Sequence, residues 1–244
     1  MTQQPSRWVF EAFGTNWAVE TDQPLRQATK RAVTERLNQF DETYSRFRDD
    51  SLVMKMGRNP GTYTFPPDFP ALYTFYKDLY DLTEGRVTPL VGRQLEQAGY
   101  DAVYSLQPGV LTDVPALTDA IMWDGDCTVT SRQPITFDVG AAGKGYAVDL
   151  IAPIIENEAH IYVIDASGDI RHRGLASERV GLEHPNDPSK IIGVADLKNR
   201  SLCASAVNRR AWQGMHHIID PLAKKPVEDV VATWVVGDTT LQAD

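Results

Sequence analysis

Residues Trp8 to Glu20 alternate apolar and polar side chains around Phe13-Gly14-Thr15, the pattern of a hairpin or bulged strand pair bending at the glycine. The period then changes. Leu25, Ala28, Ala32, Val33, Leu37 and Phe40 predict a helix from Pro24 to Phe40. A second amphipathic helix is predicted from Pro67 to Leu82, with Phe69, Leu72, Phe75, Tyr76, Leu79 and Tyr80 on its stripe and Gly85 as its stop. Leu95 to Tyr104 reads as a short amphipathic segment, and the polar run through Pro115 as loop. Ile121 to Val129 and Ile135 to Phe137 read as paired strands. Ala147, Val148, Ile151, Ile154 and Ile155 mark a third helix. Ile161 to Asp165 is a nearly unbroken apolar run, hence a strand buried on both faces. Ile191 to Leu197 and Leu202 to Ala206 alternate like the two strands of a hairpin, and Val230 to Gly237 adds a last strand. The pattern predicts one α+β domain with a mixed, mostly antiparallel sheet flanked by helices.

With 244 residues the chain can bury a substantial core. A net charge of −9 and no basic run disfavour nucleic acid or an anionic membrane surface as partner. The two cysteines, Cys127 and Cys203, lack metal-ligand spacing and read as buried thiols. The first residues carry no basic-apolar signal pattern, and no apolar run is long enough to span a membrane. The expected compartment is cytoplasmic.

Chemistry concentrates between Phe137 and Asp149, FDVGAAGKGYAVD. An extended lead-in, three glycines (Gly140, Gly143, Gly145) and a helix place free backbone N–H groups at the positive end of a helix dipole, which attracts phosphate. Lys144 adds a charge inside the turn, and Asp138 and Asp149 bracket it as partners for the lysine or for a cation. The spacing is neither the phosphate-loop nor the dinucleotide fingerprint. By itself it leaves a structural glycine turn and a phosphate site about even.

This run, D-x-G-x-x-x-K-G-x-x-x-D, resembles the central motif of the ApbE-type flavin transferases, which move FMN from FAD onto a protein threonine. Other stretches agree in order. Ser45-Arg46-Phe47 to Ser51 resembles a segment that passes over the flavin, although composition alone reads it as an exposed, charged loop. Thr83 to Gly92 resembles T-x-G-x-x-D-P-L-V-G with Thr88 in place of Asp. Gly168-Asp169-Ile170 resembles G-G-D-I with Ser167 replacing the first glycine. Val180 to Pro185 resembles V-G-I-E-x-P, and His217 to Pro221 resembles H-x-x-D-P. Ala204 stands where Thr is usual, and Leu222-Ala223-Lys224-Lys225-Pro226 where the family has T-G-x-P, so that its glycine is missing. Asp244 resembles the opening of the final D-x-x-x-T, so the sequence reads as cut short there, or its metal site as incomplete.

The resemblance implies a Mg²⁺-dependent transferase with FAD as substrate and an acceptor flavoprotein bearing the threonine, AMP being released. Lys144 and the turn at Gly140 would hold the pyrophosphate. The Ala141 carbonyl and Asp244 would bind the metal. Phe47 would stack on the isoalloxazine, and Asp138 would belong to the cofactor site in a supporting or structural role. Gly168, Asp169, Glu183 and Ser205 would line the FAD pocket. His217, near Asp220, would accept the threonine proton, because an unperturbed imidazole titrates near working pH. Members of the family are often exported lipoproteins, which makes export the expectation if a leader was removed. Three alternatives remain open: an FAD pyrophosphatase, a flavin-binding module without turnover, and an unrelated phosphate-binding domain.

Overall fold

A computed structural model describes residues 5–244. By its contacts the chain forms two compact units. One comprises residues 5–39, Gly140–Ala206 and Val231–Asp244; the other comprises Phe40–Val139 and Val207–Val230.

The first unit is built on a six-stranded sheet, ordered Ser6–Ala12, Thr15–Thr21, Tyr162–Asp165, Asp169–Arg173, Ser201–Ala206, Ala232–Gly237. Every pairing among the described residues is antiparallel. The first two strands form the expected hairpin. Ala12 pairs with Thr15, and the bend residues Phe13 and Gly14 both have positive φ, 52° and 66°, as a two-residue turn of matching twist requires. Tyr162 and Ile164 are buried, but Val163 and Asp165 are only half-buried. The strand thus has one covered face rather than the two expected. Ile191 to Leu197 and Leu202 to Ala206 are not hairpin mates. Asp187–Leu197 pairs with Glu178–His184, whereas Ser201–Ala206 enters the main sheet. Alternation fixes which side chains share a face and says nothing of which strand lies alongside.

The helix Gln27–Tyr44 starts three residues later than Pro24. Glu158 explains the shift. Its Oε1 accepts the Arg26 N–H at 2.9 Å, its other oxygen takes the Thr29 hydroxyl, and Lys30 N closes on Arg26 O. Thr29 is buried and Ala28 exposed, which corrects the start of the predicted stripe. The helix Gly143–Glu156 buries Tyr146, Ala147, Val148, Ile151, Ala152 and Ile155.

In the second unit, Phe69–Leu82 forms the predicted aromatic helix, burying Phe69, Leu72, Tyr73 and Tyr76. Leu52–Arg58 is a helix that the pattern did not announce; buried Ser51 caps it by accepting Met54 N–H. The three-stranded sheet sets Thr128–Ser131 between Gly61–Thr64 and Ile121–Trp123. Ile135–Phe137 pairs with no strand; Ile135 N instead donates to Gly57 O. Cys203 is buried as expected, but Cys127 is only half-buried. Among the described residues no helix is long and apolar enough to cross a membrane.

Candidate active site

In the first unit the glycine turn delivers Lys144 to the first turn of the helix Gly143–Glu156. Its Nζ lies 3.0 Å from Asp169 Oδ2 and 3.4 Å from the carbonyl of Ser167. Asp149, one of the two carboxylates expected to bracket it, is engaged elsewhere. It takes Arg171 at 2.6 Å and caps the short helix Thr240–Ala243 through Thr240 N (3.0 Å) and Leu241 N (2.8 Å). That cap, with Thr239 as a second one, seats Asp244 against the first turn of the helix, where Asp244 Oδ2 accepts Gly145 N–H at 2.8 Å. A Cβ on residue 145 would fall 2.5 Å from Thr240 O and 2.6 Å from Asp244 Cβ, so glycine is required by close approach.

Asp169 and Asp244 face one another in a cluster that also holds Cys203; Asp169 and Cys203 are buried and Asp244 half-buried. Burial raises Asp169, with Lys144 opposing, and burial followed by the charge of Asp169 pushes Asp244 up to about 7. The Cys203 thiol is pushed up by burial and by both carboxylates. Asp169 Oδ2 faces Lys144 as an ion pair yet makes no hydrogen bond among the described residues. A buried and a half-buried carboxylate against one lysine leave the cluster short of positive charge, and its oxygen donors suit a hard divalent cation. Gly140 and Ala141 lie exposed in the turn. Ser167 and Gly168 bend at positive φ, 56° and 104°, with Ser167 Oγ donating to Asn16 O at 2.7 Å. The serine tolerates its left-handed backbone at a cost of roughly 1 kcal/mol, which this bond offsets. Glu183 and Ser205 are half-buried on their strands, Glu178–His184 and Ser201–Ala206.

The second unit holds the other predicted residues. Asp138 is ion-paired to Arg46, both buried. The segment around Phe47 is therefore no exposed loop: Thr43, Arg46 and Ser51 are all buried. Arg46 lies 4.1 Å from the Phe47 ring centroid and 4.9 Å from that of Tyr100. Thr88 is buried, its hydroxyl accepting Leu90 N–H. His216 is tied on both ring nitrogens, to Val227 O at 2.8 Å and Ile218 N at 3.2 Å.

His217 departs from expectation in its protonation. Burial, then the charge of Arg210, holds it at about 4 rather than near neutrality. Its bond to the Arg210 backbone opposes that shift, and Nδ1 finds no partner among the described residues. The imidazole is neutral at pH 7 with a free lone pair, the form a proton acceptor needs. Asp220 does not serve it. Its carboxylate pairs with Arg86 at 2.5 Å and closes its own turn through Leu222 N and Ala223 N. Sequence reasoning missed Arg46, Cys203 and Arg210. Only Arg46 carried a signal, as the neighbour of Phe47.

A lysine and two carboxylates at a helix N-terminus are suited to holding a phosphate together with a hard cation. The chain belongs to the ApbE family, whose model matches residues 13–244. It is 24% identical, over an alignment of 262 residues, to the FAD:protein FMN transferase of Klebsiella pneumoniae (strain 342), covering 96% of this chain and 74% of that one. It is 29% identical over 118 residues to the FAD:protein FMN transferase of Escherichia coli (strain K12), 44% of this chain and 34% of that one. That second match spans only about a third of the relative. The fold matches the ApbE protein of Thermotoga maritima with a TM-score of 0.86 at 21% identity, over 98% of this chain and 84% of that chain. The flavin transferase ApbE of Vibrio cholerae gives 0.79 at 17% identity, with the same coverage. With membership in the family, the unrelated phosphate-binding domain falls away.

Proposed function

We propose that this chain transfers FMN from FAD onto a hydroxyl side chain of an acceptor protein, a threonine by resemblance, and releases AMP. The relatives' shared name supports the reaction, and the Lys144–Asp169–Asp244 cluster is the observation that carries it. The threonine oxygen attacks the FMN-side phosphorus, the P–O–P bridge breaks, and AMP leaves with the bridging oxygen. Lys144 and the N–H groups of the glycine turn bind the pyrophosphate and offset charge growing on its oxygens. His217, neutral because buried beside Arg210, takes the threonine proton. Arg46 holds Phe47 in place from one side of its ring. Asp244 and the Ala141 carbonyl would hold Mg²⁺, with Asp169 as a further oxygen donor; the ion would neutralise pyrophosphate charge and polarise its oxygens.

The test is incubation of the protein with FAD, Mg²⁺ and a threonine-bearing acceptor, followed by mass spectrometry of the acceptor and assay of AMP. Acceptor gaining one FMN per AMP released is the expected result. AMP and free FMN in equal amounts with unmodified acceptor would instead make this a pyrophosphatase.

A further inference from the structure

Asp169, Cys203 and Asp244 are scattered along the chain, and folding brings them together. Cys203 stands opposite Asp169 in the register of the strands Ser201–Ala206 and Asp169–Arg173, so both side chains project from one face of the sheet. The helix Thr240–Ala243 covers that face. The Cys203 thiol donates to Thr240 O at 3.6 Å, and Asp244 follows at the end of the helix. One ligand atom from each residue, two carboxylate oxygens and the sulfur, lies within 4.8 Å of the others. Asp169 and Cys203 are buried and Asp244 is half-buried, which puts the entry to the cluster on the Asp244 side.

An ion held at about 2.1 Å by oxygen and about 2.3 Å by sulfur sets tetrahedral neighbours roughly 3.6 Å apart. Closing the cluster from its widest spacing takes at most about 1.2 Å, within reach of side-chain rotation. Each donor can turn inward without orphaning a partner. Asp169 faces Lys144 with Oδ2, which makes no hydrogen bond among the described residues, and it has a second oxygen to offer. Thr240 O would lose the thiol but keeps Asp244 N at 2.9 Å. Sulfur decides which ion fits. Mg²⁺ is hard and leaves a thiol protonated and uncoordinated, whereas Zn²⁺ binds thiolate and carboxylate together. The ion and Lys144 would then balance two carboxylates and a thiolate, so the charge of the cluster closes to neutrality.

We propose that Asp169, Cys203 and Asp244 form a thiophilic metal site that takes Zn²⁺, distinct from the Mg²⁺ position but sharing Asp244 with it. Binding replaces the S–H bond of Cys203 by an S–Zn bond and releases the proton to water. A water molecule completes the fourth position. The site stands on the cluster alone; only its conflict with Mg²⁺ rests on the proposed function. Asp244 serves one ion at a time, so Zn²⁺ takes it from Mg²⁺ and inhibits transfer.

The experiment titrates Co²⁺, a coloured stand-in for Zn²⁺, into metal-free protein under a phosphine reductant, and then Zn²⁺ against a chromophoric chelator. The chain has one other cysteine, Cys127. Wild type and Cys127→Ser should both develop the near-ultraviolet absorption of sulfur bonded to Co²⁺, and added Zn²⁺ should abolish it. Cys203→Ser should lack the band and bind Zn²⁺ at least about 100-fold more weakly, while its thermal shift with Mg²⁺ matches wild type. No band in wild type, or a band lost in Cys127→Ser, overturns the proposal, and neither result needs a Cys203 variant to fold. Equal Zn²⁺ affinity in folded Cys203→Ser overturns it as well. In the transfer assay Zn²⁺ should inhibit wild type at lower concentration than Cys203→Ser. A protein that shows the sulfur band but transfers no FMN under Mg²⁺ keeps this site and overturns the functional reading instead.

Discussion

Replacing Gly145 by alanine sets two physical effects against each other. Gly145 lies in the helix Gly143–Glu156, where alanine by propensity should stabilise by about 1 kcal/mol. Space argues the reverse. The new methyl would sit 2.5 Å from Thr240 O and 2.6 Å from Asp244 Cβ, both roughly 1 Å inside normal contact. Neither obstacle is the end of a flexible side chain, so relief requires moving the helix Thr240–Ala243. That movement loosens the Asp149 cap, at 3.0 and 2.8 Å, and the bond from Gly145 N to Asp244. Overpacking against backbone costs about 3 kcal/mol at the upper end of its range. The net expectation is a loss of about 2 kcal/mol, which for a chain of this size lowers the melting temperature by roughly 4–8 °C. Asp244 moves with the helix, so Mg²⁺-dependent FMN transfer should fall more steeply than stability. Calorimetry with and without Mg²⁺, together with the transfer assay, reads both effects. A melting temperature equal to or above wild type with unchanged transfer would refute the close-approach argument and remove Asp244 from the site.

Lys144→Met should weaken FAD by roughly 1.5–3 kcal/mol while leaving riboflavin unaffected, because only the phosphates meet the lysine; calorimetric titration checks it. His217→Ala should lower transfer by about 10²–10⁴-fold with FAD affinity nearly intact, and His216→Ala should instead lower thermal stability through its lost bond to Val227. Because His217 is depressed to about 4, its basic form is present across pH 5–8 and the rate profile should show no inflection near 6.5; a clear one there would contradict the burial argument. Asp244 is raised to about 7 in the fold, so its contribution is full below the unfolded carboxylate range and is lost as pH rises through 7. Metal-free protein should therefore melt lower at pH 8 than at pH 5.5 on this account, and Mg²⁺ should raise the melting temperature more at pH 8; equal shifts would place the ion elsewhere.

Local periodicity determined much of this protein. The Phe13-Gly14 hairpin, the aromatic helix ending at Leu82 and the helix after the glycine turn were legible because each buries one face at a period the chain itself displays. The ordered motifs were legible too, since a glycine turn followed by lysine carries its own reason for attracting phosphate. What the sequence could not contain is which distant group answers a local need. Glu158 moved the start of a helix by capping Arg26, 132 residues away, and Asp149 turned from Lys144 to cap the helix at Thr240. Strand partners failed likewise: Ser201–Ala206 pairs with Ala232–Gly237, not with its neighbour in sequence, since alternation is blind to register between strands. Charge was the hardest to read. Arg46 sits among arginines and aspartates that spell a solvated loop, yet it is buried between Asp138, Phe47 and Tyr100. His217 was singled out as a candidate base on its intrinsic pKa. Its neutrality at pH 7 comes from burial beside Arg210, a property of the folded surroundings and of no residue alone.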